Sequence, residues 1–262
     1  MNSTINILGL GVRGKKQLTL ESLSIMRNSD MILYFPMEVN FESWLKESVC
    51  IKKAESLAPL YIEGAIDIEN YKRIVNRIIE VSESQKNIAI LVPGHPYLGV
   101  TWVKMLKRVA IEKNINVNFH EGISSFDTMM NDLQVDPLDR GAVILDANRL
   151  LLYSLNIEPR MDLFIYHVCS VGNSNTDYDH VKENNNLNVL QKYLMKFYTE
   201  DHKVVLIGSN SKLSNSLTKE VKLKDLDLLD DYITVATSLY IPGVETEKKD
   251  INNEFYNLFK IH

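Results

Sequence analysis

The sequence predicts an α/β protein of two lobes, a mostly parallel N-terminal sheet followed by a C-terminal lobe built on a mixed sheet. Three observations carry this reading. Strand-like and helix-like segments alternate from residue 5 to residue 135, the pattern of parallel strands joined by crossover helices. The apolar run Asn87–Val92 has the composition of a strand buried on both faces, and it stops abruptly at Pro93-Gly94-His95-Pro96. Beyond Asp136-Pro137 the chain changes character, which places a boundary near 136–141 and divides the protein into 1–137 and 138–262.

Each element has its own signal. Ile5-Asn6-Ile7-Leu8 reads as the first strand and runs into Gly9-Leu10-Gly11-Val12-Arg13-Gly14. A helix from about Thr19 to Asn28 sets Leu20 and Leu23 on one side, and Met31–Phe35 forms a second strand that Pro36 ends. Residues 38–60 show no clear period apart from a short helix around Phe41–Glu47. Over 69–82, Tyr71, Ile74, Val75, Ile78 and Ile79 fall on one helical stripe. After the central strand comes a helix near Val103–Lys113, then Ile115, Val117 and Phe119 alternate as in a strand. Glu121-Gly122-Ile123-Ser124-Ser125 leads into a helix with Phe126, Met129, Met130 and Leu133 at helical spacing, ended by Asp136-Pro137. In the second lobe Ala142–Leu145, Leu163–His167, Val204–Gly208 and Ile233–Tyr240 read as strands. Residues 173–186 read as a polar surface loop, and Leu187, Leu190, Leu194 and Phe197 mark a helix. Glu254–Phe259 reads as a short amphipathic helix.

Composition narrows the class. Hydrophobic residues make up 45% of the 262 and charged residues 24%, as in a soluble globular protein. The net charge of −5 is dispersed, with no basic block, which argues against nucleic acid as a partner. Apolar runs fall short of a membrane span, and Met1–Ile5 lacks a secretory pattern, so a cytoplasmic protein is expected. Cys50 and Cys169 show no metal-ligand spacing and are too few for a disulfide scaffold; no metal is expected.

The first loop, Gly9 to Gly14, matches the dinucleotide fingerprint, whose glycines let backbone approach a pyrophosphate. Lys15-Lys16-Gln17 separate it from the next helix, and the second strand ends in Phe35-Pro36 with Glu38 the nearest acid. A nicotinamide site is therefore one alternative, and a glycine turn without ligand the other. The loops 93–96 and 121–125 both follow strands and precede helices, so crossover topology sets them along one sheet edge. Their glycines, hydroxyls and backbone N–H groups suit a polar, zwitterionic ligand.

In order and spacing these segments resemble the tetrapyrrole methylase superfamily, the class III S-adenosylmethionine-dependent methyltransferases. The carriers are Ile7-Leu8-Gly9-Leu10-Gly11, Ile32-Leu33-Tyr34-Phe35, Pro93-Gly94-His95-Pro96, Glu121-Gly122-Ile123-Ser124-Ser125, Asp132-Leu133-Gln134-Val135-Asp136-Pro137 and Thr237-Ser238-Leu239-Tyr240-Ile241-Pro242. Within it, Gln17–Leu23, Gly94-His95-Pro96, Ile123-Ser124-Ser125, Val168–Gly172 and Asp201–Val205 are most similar to the borosin-type peptide backbone N-methyltransferases. The methylase lobe of methylase-pyrophosphohydrolase fusions shares Leu91–Pro96; precorrin and uroporphyrin methylases are more distant.

The resemblance implies a cofactor, S-adenosylmethionine, held in the cleft between lobes and released as S-adenosylhomocysteine. It puts Pro93, Gly94, His95 and Leu98 at the cofactor loop and Ser124 and Ser125 in the next one. His167 stands where the borosin pattern has a polar cofactor contact, and Ser209, Asn210, Thr237 and Ser238 where the second lobe closes on it. Tyr71 and Tyr61 match tyrosines that face the substrate amide; Tyr71 also lies on its helix's apolar stripe, so core packing is the alternative. The implied partners are a homodimer and a precursor peptide or small molecule, with a separate precursor peptide expected from where the chain ends after Tyr240. The other functions in view are a tetrapyrrole or small-molecule methyltransferase and a cofactor-binding partner protein without activity.

The sequence departs from the borosin pattern at Asp67, where an arginine is expected, at Ala58, where a tyrosine is expected, and at Pro93, also in place of tyrosine. Lys72 and Arg73 lie nearby but off the arginine's spacing. A peptide N–H is a very weak acid, and a tyrosine of reference pKa about 10 is a better proton acceptor beside a cation than beside a carboxylate. On that pattern Tyr71→Phe slows transfer and Asp67→Arg raises it; loss of turnover in Asp67→Arg with Tyr71→Phe silent makes Asp67 the working base and the acceptor a more acidic group on a small molecule instead of a peptide.

Overall fold

The computed structural model describes residues 3–38, 40–51, 53–175, 177, 180–208 and 216–259. The first half is built from β1 (Thr4–Gly9), α1 (Leu20–Arg27), β2 (Met31–Tyr34), α2 (Phe41–Trp44) with a π turn over Leu45–Val49, β3 (Ala54–Ser56), α3 (Asp67–Ser82), β4 (Asn87–Val92), α4 (Thr101–Glu112), β5 (Asn116–His120) and α5 (Ser125–Leu133). Its five strands are ordered β3-β2-β4-β1-β5 and every pairing is parallel. The helices therefore cross over, and all five strands end on one edge.

Alternating side chains explain why the central strands carry apolar runs. Ile5, Ile7, Ile88 and Ile90 point to the face covered by α3 and α4, against Ile74, Ile78, Trp102, Val103 and Leu106. Leu8, Ala89 and Leu91 point to the other face, against Met26, Phe41 and Leu45. Both faces are buried, as a doubly covered parallel sheet requires. The stripe on α3 is the expected one, with Ile74, Val75, Ile78 and Ile79 buried. α1 starts where Thr19 caps it, its hydroxyl accepting from the Ser22 N–H.

The second half contains β6 (Ala142–Asp146), α6 (Ala147–Leu152), β7 (Asp162–Tyr166), α7 (Val181–Asn184), α8 (Leu187–Leu194), β8 (Lys203–Gly208), β9 (Leu217–Lys222), β10 (Thr237–Ile241) and α9 (Asn253–Phe259). The sheet order is β6-β7-β10-β8-β9; β6 and β7 are parallel and the other pairs antiparallel, so the sheet is mixed. α5 lays its stripe on this second sheet: Phe126, Met129 and Leu133 pack with Phe164, Val205, Ile207 and Tyr240.

Some elements lie outside what periodicity announces. β3 and β9 are edge strands, one of three residues and the other, Leu-Thr-Lys-Glu-Val-Lys, mostly exposed. α6 and the 3-10 stretch Leu223–Tyr232 fall where no helix is expected, and α7 interrupts the polar segment 173–186 by burying Val181. The last strand starts at Thr237 rather than Ile233. Thr237 Oγ1 accepts from the Thr234 N–H and donates to the Thr234 carbonyl, so residues 234–237 close a turn instead.

Candidate active site

Three loops leave the carboxyl edge of the first sheet and touch through backbone. Gly94 N–H donates to the Gly11 carbonyl at 2.9 Å and Gly11 N–H to Gly94 carbonyl at 3.3 Å, a small antiparallel bridge. A Cβ on Gly9 would lie 2.7 Å from the backbone of Gly122 and from the Gly94 carbonyl oxygen. These glycines are required by the packing of loop on loop. The dinucleotide reading of Gly9–Gly14 fails in this structure: Gln17 Oε1 accepts the Val12 and Arg13 N–H groups at 2.8 Å each, and α1 begins only at Leu20. The peptide donors a pyrophosphate would need are already bound by a side chain.

In the second loop Pro93 is exposed and Gly94 buried, with φ at +72°. His95 Nδ1 accepts from the Tyr97 N–H at 3.1 Å, and the Leu98 N–H donates to the His95 carbonyl, so His95 closes its own turn. In the third loop Ser124 caps α5 in a capping box: its hydroxyl accepts from the Asp127 N–H and the Asp127 carboxylate accepts the Ser124 N–H. Ser125 faces the other lobe and its hydroxyl donates to the Tyr166 oxygen at 3.1 Å. Burial pushes the Tyr166 hydroxyl up to about 12, so this contact stays neutral.

The second lobe supplies His167, a non-glycine residue held at φ +57°. Its Nδ1 lies 2.6 Å from Asp146 Oδ2, at the junction of β6 and α6. Its Nε2 faces the cofactor-loop side: a Cβ on Gly99 would lie 3.4 Å from it. Burial works to raise the Asp146 carboxyl, but the hydrogen bonds from His167 and the Arg149 N–H outweigh it and hold the group below the usual carboxylate range. Thr237 and Ser238 are buried at the start of β10, Thr237 in the turn already described. Ser209 and Asn210 lie outside the described residues.

Tyr61, Asp67 and Tyr71 gather at the start of α3. The Tyr61 hydroxyl donates to Asp67 Oδ1 at 2.5 Å. Asp67 is the first residue of α3, and Tyr71 lies one turn along the same face, half-buried against the core beneath α3 and α4. Lys72 pairs with Glu69 at 2.7 Å and Arg73 donates to Asn70 Oδ1 at 2.5 Å.

The segment 167–175 joins the two groups of residues. His167 stands against Gly99, while the Ser174 carbonyl accepts the Asp67 N–H at 3.1 Å and Asn175 donates to the Gly64 carbonyl at 3.2 Å. Between them Cys169 is buried, and its thiol is pushed up to about 11, first by burial and further by the charges of Asp67 and Asp146. Both carboxylates thus lie within electrostatic reach of one thiol, which packs in the core of the second lobe. Asn148 shapes the segment, donating to the Ser170 and Asn173 carbonyls and accepting the Gly172 N–H.

The donor set fits S-adenosylmethionine. Loop peptides and hydroxyls from 93–99 and 122–125 suit the polar ends of a nucleoside amino acid. The Asp67 carboxylate, which accepts the Tyr61 hydroxyl, suits a neighbouring positively charged sulfonium. Asp146 contacts His167, Tyr166 contacts Ser125 and Asn70 contacts the residue after Tyr61, and the sequence singles out none of the three. The hollow lined by Ser3, Ser82, Glu83 and Lys113 lies at the amino ends of the strands, opposite these loops.

Residues 4–156 match the family described as Tetrapyrrole (Corrin/Porphyrin) Methylases. A Phlebiopsis gigantea protein named methyltransferase/ribosomally synthesized type II borosin cyclic peptide precursor is 26% identical over 261 residues, covering 98% of this chain and 46% of the relative. A Cerrena unicolor protein with the corresponding type I name is 25% identical over 251 residues, covering 94% and 60%. The chain thus spans about half the length of these relatives. Among solved structures, uroporphyrin-III-C-methyltransferase from Thermus thermophilus superposes with a TM-score of 0.64 at 13% identity, covering 92% of this chain and 93% of the other. Diphthine synthase gives a TM-score of 0.63 at 14% identity, covering 95% and 93%.

Proposed function

The chain belongs to the tetrapyrrole (corrin/porphyrin) methylase family, and on that premise we propose that it is an S-adenosylmethionine-dependent methyltransferase whose acceptor is a backbone amide nitrogen of a precursor peptide. The observation that carries the reading is the path of segment 167–175, which bonds to Asp67 at one end and rests on the 93–99 loop at the other. A cofactor cradle and a pair able to handle a proton thereby share one cleft. The names of the borosin relatives support the peptide as acceptor.

When bound, S-adenosylmethionine supplies an electrophilic methyl group whose departure leaves a neutral thioether. The protein's work is alignment and proton removal. Pro93, Gly94, His95 and Leu98 form one wall of the cradle, with Ser125 and His167 facing them. Ser124 spends its hydroxyl on the cap of α5, and Thr237, its hydroxyl spent on a turn, lies on the second lobe's closing side. Ser209, Asn210 and Ser238 belong to the closing side in this proposal. Holding the acceptor in line contributes on the order of 7 kcal/mol or more at best.

A peptide N–H must lose its proton as the new bond forms. Tyr61 takes that proton at its oxygen as its own passes to Asp67, so the proton ends on the carboxylate, which becomes neutral as the methyl donor loses its positive charge. This replaces an arginine-assisted phenolate with a phenol–carboxylate relay. Tyr71, one turn along, orients the acceptor. The test is incubation with S-adenosylmethionine and candidate precursor peptides, followed by mass spectrometry with fragmentation. A gain of one methyl on a backbone nitrogen is expected. Methylation confined to side chains or small molecules refutes the peptide assignment.

A further inference from the structure

Asn70 stands out among the residues that nothing above uses chemically. It is fully buried, 0% exposed, in α3, where an amide side chain is tolerated only with partners. Its Oδ1 accepts the Ile62 N–H at 2.9 Å and its Nδ2 donates to the Ile62 carbonyl at 3.1 Å. An amide that engages both peptide groups of one residue imitates a neighbouring strand and fixes that residue in place and orientation. Arg73 Nη1 donates to the same Oδ1 at 2.5 Å and so sets which way the amide points.

The residue gripped is the one after Tyr61. The loop it belongs to is half-exposed, with Ile62 at 49%, Ile66 at 50% and Gly64 at φ +73°; the Ala65 N–H also donates to the Ile62 carbonyl and Asn175 to the Gly64 carbonyl. At the far end of that loop is Asp67, three residues before Asn70 on the same helix, accepting the Tyr61 hydroxyl. Asn70 thus holds the residue after Tyr61 from a position three residues along the helix that begins at Asp67.

We propose that Asn70 is a positioning residue, acting through Ile62 to hold the Tyr61 hydroxyl on the Asp67 carboxylate. Its catalytic meaning rests on the reading of Tyr61 and Asp67 as the proton-handling pair; its hold on Tyr61 is a separate, measurable matter. A residue that merely stabilises α3 would leave the Tyr61 hydroxyl bond unchanged in molecules that remain folded.

The experiment is NMR on protein labelled with 13C at the tyrosine ζ carbon, the Tyr61 signal being identified by its loss in Tyr61→Phe. Asp67→Ala removes the acceptor and shifts that signal. Asn70→Ala is expected to shift it in the same direction, and the double variant to add little to Asp67→Ala alone. Asn70→Asp keeps the oxygen for Ile62 and Arg73 and returns the signal part of the way. Circular dichroism and thermal melts establish that each variant is folded, and if Asn70→Ala does not fold, Asn70→Asp and Asn70→Ser carry the comparison. A Tyr61 signal unmoved in the folded Asn70 variants, or shifts that add in full, overturns the proposal. The same samples are titrated with S-adenosylmethionine, and retained binding in the Asn70 variants is expected. Loss of binding in Asn70→Ala with binding kept in Asp67→Ala also overturns it. If wild-type protein binds no cofactor, the methyltransferase reading fails while the NMR result still decides what Asn70 holds.

Discussion

The Asp67 carboxylate accepts the Tyr61 hydroxyl while its own N–H donates across the cleft to Ser174. An arginine here would have to give up the first of these bonds. Asp67→Arg is therefore expected to lower the rate of transfer, although it restores the residue of the borosin pattern. Tyr61→Phe is expected to slow transfer about 100-fold, the scale of a lost acid–base group, with cofactor affinity unchanged. Rate measurements on both variants check this; a faster Asp67→Arg enzyme contradicts the relay. Asp146 gives a pH prediction. Its folded-state pKa lies below the ordinary value of about 3.9, so it contributes stability that is present above that value and lost as pH falls through the folded one. Denaturant unfolding should find Asp146→Asn less stable than wild type at pH 7, with the gap closing as the pH drops below about 4. A gap that is constant with pH would show that the His167 contact carries no charge linkage.

At the scale of elements, the glycines of the sheet edge divide by what each needs. A Cβ on Gly9 would meet backbone at 2.7 Å, and backbone cannot swing aside. A Cβ on Gly94 would find only Val12 Cγ1 at 3.7 Å, leaving the cost of a positive φ. Gly94→Ala should then cost about 1 to 2 kcal/mol, while Gly9→Ala should cost more than 3 kcal/mol or prevent folding. Equal losses in thermal melts would deny the backbone packing. The same contrast explains what was legible in the sequence. β4 and α3 were readable because burial on two faces and a helical stripe leave local marks. β3 and β9 pair on one side only and carry few apolar residues, so they leave almost none. Asn70 was illegible for another reason: its partner Ile62 is recognised by peptide groups, which every residue has.

Across the whole molecule the lobes are tied by polar contacts around the cleft. Arg13 Nη2 binds Asp132 at 2.9 Å and Ser216 at 3.0 Å, and Ser125 binds Tyr166. α5, which closes the third loop, rests its apolar stripe on the second sheet, so the cradle and the far lobe move together. The order of motifs along the chain made the fold legible, whereas the pairing of Tyr61 with Asp67 and of His167 with Asp146 depended on how distant segments fold back. No helix among the described residues is long and apolar enough to cross a membrane. Family resemblance supports a homodimer, and sedimentation at micromolar concentration should give twice the mass of the chain; a monomer contradicts it. The most direct measurement is calorimetric titration of the purified protein with S-adenosylmethionine and S-adenosylhomocysteine. Saturable binding of both, weakened by Gly94→Val and unaffected by Tyr61→Phe, is the predicted result. Absence of binding by either compound would contradict a methyltransferase site in this cleft.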